Sequence, residues 1–75
     1  MQVEFSLSRA SDVRLAVVDV LGREVAVLAR GAHPAGRHQV SWNGETASGP
    51  AATGLYFLHY QAEGRSATQR IVRLR

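Results

Sequence analysis

The chain has no cysteine and no lysine, only two prolines, and one tryptophan. Without cysteine no disulfide can staple the fold, and thiol chemistry and thiolate metal sites are excluded. The lack of cysteine does not fix a compartment, since exported domains need not carry disulfides. No apolar run approaches the ~20 residues that span a bilayer, so no transmembrane segment is expected. Residues 1–10 alternate apolar and polar and hold no apolar stretch of the signal-peptide kind. With 75 residues the chain makes one domain at most. A chain of this size buries only about 60% of its unfolded surface, so its core is small and holds by packing alone or leans on a neighbour.

All nine basic residues are arginine, the net charge is +3 and the pI is near 10.6. A high pI is an electrostatic footprint of nucleic-acid binders when the charges cluster. Here Arg9, Arg14, Arg23, Arg30 and Arg37 stand apart, and only Arg70, Arg73 and Arg75 crowd together. Scattered single charges read as solvated faces, and no nucleic-acid partner is expected.

What the chain does have is alternation. Val3, Phe5 and Leu7 share one parity against Gln2, Glu4 and Ser6, which reads as a half-buried strand. Val13, Leu15 and Val17 repeat the pattern, followed by a turn through Asp19 and Gly22, and Val25, Val27 and Leu28 form a third strand. His38, Val40 and Trp42 alternate into a fourth strand. A loop from Asn43 to Gly54, punctuated by Gly44 and Gly49, leads to a fifth strand with Tyr56, Leu58 and Tyr60 on one side. Glu63-Gly64-Arg65 is a tight turn, and residues 67–74 give a sixth strand, with Val72 and Leu74 on one parity and Ile71 and Arg73 on the other. The spacing of Val25, Leu28 and Ala29 is the best helical candidate, but the β-branched residues and flanking glycines favour a strand. Six to seven short strands at this spacing predict an all-β fold, an Ig-like antiparallel β-sandwich. The expected core is Phe5, Leu15, Val17, Val40, Trp42, Tyr56, Leu58 and Val72, and the structural turns fall at Asp19, Gly22, Asn43, Gly44, Gly49 and Gly54.

Chemistry-bearing patterns are scarce. His33, His38 and His59 match no metal-ligand spacing, and the loop after Trp42 offers one charged oxygen donor where a calcium loop needs several. No nucleophile elbow and no phosphate-cradling glycine pattern occurs. Neither a catalytic residue nor a cofactor is expected, and the chain reads as a non-enzyme. Two features stay open. Phe57 sits opposite Tyr56 and Leu58 in parity, and faces either a second layer or a ligand such as a polysaccharide. The closing Arg70-Ile71-Val72-Arg73-Leu74-Arg75 is either an edge strand defended by arginines or a recognition tail.

The order of these motifs resembles a known family. Val13-x-Leu15-x-Val17-x-Asp19-x-x-Gly22-Arg23-x-Val25-x-x-Leu28 is similar to the first half of the Ig-like domain of the flagellar hook-capping protein. Ala35-Gly36-x-His38-x-Val40-x-Trp42-Asn43-Gly44, then Gly49, then Gly54-x-Tyr56-Phe57, is similar to its second half. The same layout overlaps with the C-terminal sorting domains of the type IX secretion system. Family members usually begin with an Asn-Pro segment where Met1-Gln2 stands here, and carry aspartates where Asn43 and Thr46 stand.

The resemblance implies a non-catalytic module at the C-terminus of a larger secreted protein, exported through the periplasm to the cell surface. Its partners would be the outer-membrane export machinery or a neighbouring domain, with recognition through Gly54, Tyr56, Phe57, Arg70, Arg73 and Arg75. The alternative is an accessory module that packs on a catalytic domain or surface assembly, or binds polysaccharide.

Overall fold

A computed structural model describes residues 1–74. These described residues form eight strands and no helix: β1 (Gln2–Leu7), β2 (Ser11–Val18), β3 (Glu24–His33), β4 (Gly36–Ser41), β5 (Glu45–Thr46), β6 (Gly49–Pro50), β7 (Gly54–Ala62) and β8 (Arg65–Arg73). All pairings are antiparallel. One sheet has the order β3-β2-β7-β8, and a second consists of β1 and β4 alone. The alternation in β1, β2 and β7 turns Phe5, Leu7, Val13, Leu15, Val17, Tyr56 and Leu58 into one buried cluster between the two sheets, with Trp42 and Ala62. The chain is an all-β Ig-like sandwich.

Two tight turns set the large sheet. Between β2 and β3, the Asp19 carboxylate accepts the amides of Leu21 at 2.9 Å and Arg23 at 3.0 Å. The Gly22 amide donates to the Asp19 carbonyl at 3.0 Å, and the left-handed backbone of Gly22, with φ 83°, turns the chain so that the Arg23 carbonyl accepts the Asp19 amide at 2.9 Å. Between β7 and β8, Glu63 and Gly64 have φ of 54° and 72°. Positive φ at both central residues is the two-residue turn whose twist matches an antiparallel pair. Glu63 is held there by the Ser8 hydroxyl at 2.5 Å, which ties this hairpin to the crossover that follows β1. That hydrogen bond, with the amides of Arg9 and Ser8, keeps the Glu63 carboxyl below the usual carboxylate range.

Three expectations need correction. Val72 is not core: it is 62% exposed, and Ile71 packs inward instead. The register places Ile71 opposite buried Tyr56 and Val72 opposite Leu55, so the parity assigned to the last strand is inverted. Val40 is half-buried at the margin of the core. The loop from Asn43 to Gly54 is not plain loop: Glu45–Thr46 and Gly49–Pro50 pair as a miniature hairpin, with the Thr46 hydroxyl donating to the Gly49 carbonyl at 2.6 Å.

The stretch with helical spacing is a strand with two irregularities. The β2–β3 register shifts between Leu15 and Ala16 and again between Val17 and Val18. Each shift places an extra residue on β3, once at Leu28 and once at Val25. A bulged residue resets the parity of the strand, so Val25, Ala26, Leu28 and Ala29 all pack against the core.

Candidate interaction surface

The residues assigned to recognition divide between the two faces of the large sheet. On the inner side, Tyr56 is 8% exposed, and its hydroxyl donates to the Ala52 carbonyl at 2.8 Å. Its ring meets Trp42 edge-on, with centroids 5.9 Å apart. The Trp42 indole N–H donates to the Glu45 carbonyl at 2.9 Å. Two buried aromatics thus use their polar handles to hold the loop that carries β5 and β6. The guanidinium of Arg73 lies 5.6 Å from the Trp42 ring centroid, a cation–π contact. It also occupies the space where a Cβ at Gly44 would stand. Gly44 is buried with φ 84°, so loop and strand end approach there because no side chain intervenes. Gly54 opens β7 with φ 155° and is half-buried. Tyr56 and Arg73 therefore serve the core and its loop.

On the outer side, the register aligns Val18, Phe57 and Arg70 across three strands, and Leu55 with Val72 beside them. Phe57 is half-buried and Arg70 exposed. Leu55, Val72 and Val27 are exposed apolar residues of the same face. Ala16, opposite His59 and Val27, is only 1% exposed even though its side chain lies on this outer face. The Arg14 guanidinium is committed to the Glu24 carboxylate, with Nε to Oε2 at 2.9 Å, and this pair holds the Glu24 carboxyl below its ordinary range. Arg70 has no carboxylate partner among the described residues. The result is an apolar strip with a cation at its edge. Arg75 lies outside the described residues.

Other candidate chemistry is accounted for locally. Both oxygens of Asp19 accept hydrogen bonds from its own turn. His33 Nδ1 donates to the Gly31 carbonyl at 2.9 Å, and His38 Nε2 to the Pro34 carbonyl at 2.7 Å. The His38 ring stacks on Phe5 with centroids 5.1 Å apart. No group of three His, Asp or Glu side chains converges as a metal would require among the described residues. No helix among them is long and apolar enough to cross a membrane. The Arg73–Trp42 contact and the Ser8–Glu63 tie were not read from the sequence. Both join residues far apart in the chain, and no local spacing announces them.

The sequence model for the FlgD Ig-like domain matches residues 1–66. That span takes in β1 to β7, the β7–β8 turn and the first residues of β8. No curated protein and no solved structure matches the chain. With the sandwich architecture and a family match over most of its length, the chain belongs to the FlgD Ig-like domain family and is a structural Ig-like module.

Proposed function

We propose that this chain is a non-catalytic attachment module, a C-terminal sorting and cell-surface domain of a secreted bacterial protein. It is read on the outer face and free edge of the large sheet. The observation that carries this reading is the alignment of Phe57 with Arg70 beside the Leu55–Val72 pair, next to an edge strand with no further neighbour among the described residues. Exposed apolar area flanked by an unpaired cation is the chemistry of a docking surface, and arginine and aromatic residues are enriched where such surfaces bind. The residues beyond 66, which include Arg70 and Arg73, lie past the family match. An export-specific feature grafted onto a structural module would sit in such a place.

The sorting reading is tested in a parent protein that carries the module. Deleting residues 70–75 is a poor test, because it removes Ile71 from the core and Arg73 from Trp42. The double variant Phe57→Ser/Arg70→Glu changes only the outer face. Retention of the parent in the periplasm, with the module still folded, is the expected result. Unchanged delivery to the surface would remove the sorting role. Trp42 and Tyr56 are buried, so a polysaccharide would have Phe57, half-buried on the outer face, as its aromatic contact. Packing on a neighbouring domain uses the same outer face, and in that case the double variant would loosen the domain contact without altering export.

A further inference from the structure

We propose that the free edge of β1 accepts an extended peptide strand donated by another protein, on a surface separate from the one argued above. The two layers are unequal, with two strands facing four. Beside β1 the shortfall leaves a groove of about 520 Å³, floored by Leu15, Leu58 and Tyr60 and walled by β8 at Ala67. Ala67 and Gln69 face inward, opposite Tyr60 and Leu58, with no strand above them among the described residues.

The backbone of β1 points into this groove in a defined phase. Met1 and Trp42 exchange both main-chain hydrogen bonds, at 3.0 Å and 2.8 Å. In an antiparallel pair, bonded and non-bonded positions alternate. With Gln2 opposite Ser41 and Val3 opposite Val40, the odd residues Val3, Phe5 and Leu7 bond to β4. The N–H and C=O groups of Gln2, Glu4 and Ser6 therefore turn to the other edge, where no strand lies among the described residues. Glu4 and Ser6 line the groove.

A strand placed about 4.8 Å from β1 would meet those groups and cover the inner face of β8. Its residues opposite Val3 and Phe5 would point down onto Tyr60 and Ala67. The occupant is thus an extended segment of roughly five residues or more, apolar at alternate positions, whose main chain supplies affinity and whose side chains supply register. A second copy bringing its own β1 to this edge is the competing occupant, and sedimentation separates it from a donated strand. The other linking segments of the module are engaged in their own turns, or held by Trp42 and Tyr56.

The probe is a fluorescein-labelled peptide of alternating threonine and valine, about seven residues long with a lysine tail for solubility, titrated into the folded module by fluorescence anisotropy. Saturable binding is expected, with slowed hydrogen exchange at the Glu4 and Ser6 amides. N-methylation of alternate peptide amides in the phase that faces β1 should weaken binding roughly tenfold or more. Ala67→Glu, at an exposed position, should do the same without lowering the melting temperature. Ser6→Pro removes one outward donor and none of the bonds to β4, and should weaken binding as well. No saturation by about 1 mM, equal binding of the N-methylated peptide, or a dimer in sedimentation that Ser6→Pro dissolves would each overturn the proposal.

Discussion

The indole of Trp42 is 4% exposed and meets the Tyr56 ring, the Arg73 guanidinium and the Glu45 carbonyl. Truncating a buried aromatic removes its transfer free energy and leaves a cavity, so Trp42→Ala should cost about 3–5 kcal/mol in urea denaturation. A domain of this size holds only about 4–11 kcal/mol in all, taking the usual stability per residue, so the variant should be at the margin of folding. Asp19 gives a second prediction at this scale. Hydrogen bonds, first from the Arg23 amide and then from its side chain and the Leu21 amide, hold its carboxyl below the ordinary 3.8. A carboxylate with a depressed folded value stabilises the fold above its unfolded value, and that contribution disappears as pH falls through the folded one. Asp19→Asn should therefore lower the melting temperature at pH 7 and flatten its fall below about pH 4. Parallel melting curves for the two proteins down to pH 2 would refute the role given to the turn. The Asp19–Gly22 turn was legible in the sequence because every group in it lies within five residues. The Arg73–Trp42 contact was not, because only the packed sandwich brings the end of β8 over that ring.

At the scale of elements, alternation was legible wherever one face is apolar and the other polar, as in β1, where Phe5 and Leu7 are buried and Glu4 and Ser6 exposed. It failed in two strands for different reasons. In β3 two extra residues reset the phase, so that Val25, Leu28 and Ala29 fall at helix-like spacing while the backbone stays extended. In β8 both parities carry one apolar residue and one arginine near the end, Ile71 with Arg73 and Val72 with Arg70. Composition alone cannot choose between them, and the pairing with Tyr56 does. That assignment is open to a direct comparison. Ile71→Thr should cost about 1–2 kcal/mol, by loss of packed methyl groups and partial burial of a hydroxyl. Val72→Thr, on the exposed face of the same strand, should stay within about 0.5 kcal/mol. Equal losses, or a larger loss at Val72, would return the inward role to Val72 and put the register of the last strand in error.

Across the whole molecule, the ladders differ in how they are supported, and hydrogen exchange should rank them. β2 and β7 are central strands, each paired on both sides, and they contribute Val13, Leu15, Val17, Tyr56, Leu58 and Ala62 to the core. β1 and β4 have one partner apiece, and the β5–β6 hairpin only two paired positions per strand. Local opening is cheapest where few buried contacts and few shared hydrogen bonds must be broken together. Amides of the β2–β7 ladder, from Val13 to Val18 and from Phe57 to Ala62, should exchange slowest, at rates set by global unfolding. Those of β5 and β6 should exchange first, and those of β1 and β4 between, with the outward amides of Glu4 and Ser6 fast. Site-resolved exchange measured by NMR decides the ranking. If the β1–β4 pair proved as protected as β2–β7, the smaller layer would carry support beyond the contacts described, and its free edge would not be free. If β2 exchanged as fast as β1, the large sheet would not be the body on which the rest is built. The ranking follows from counting neighbours in a sandwich with two strands against four, and that imbalance also leaves one edge of β1 open.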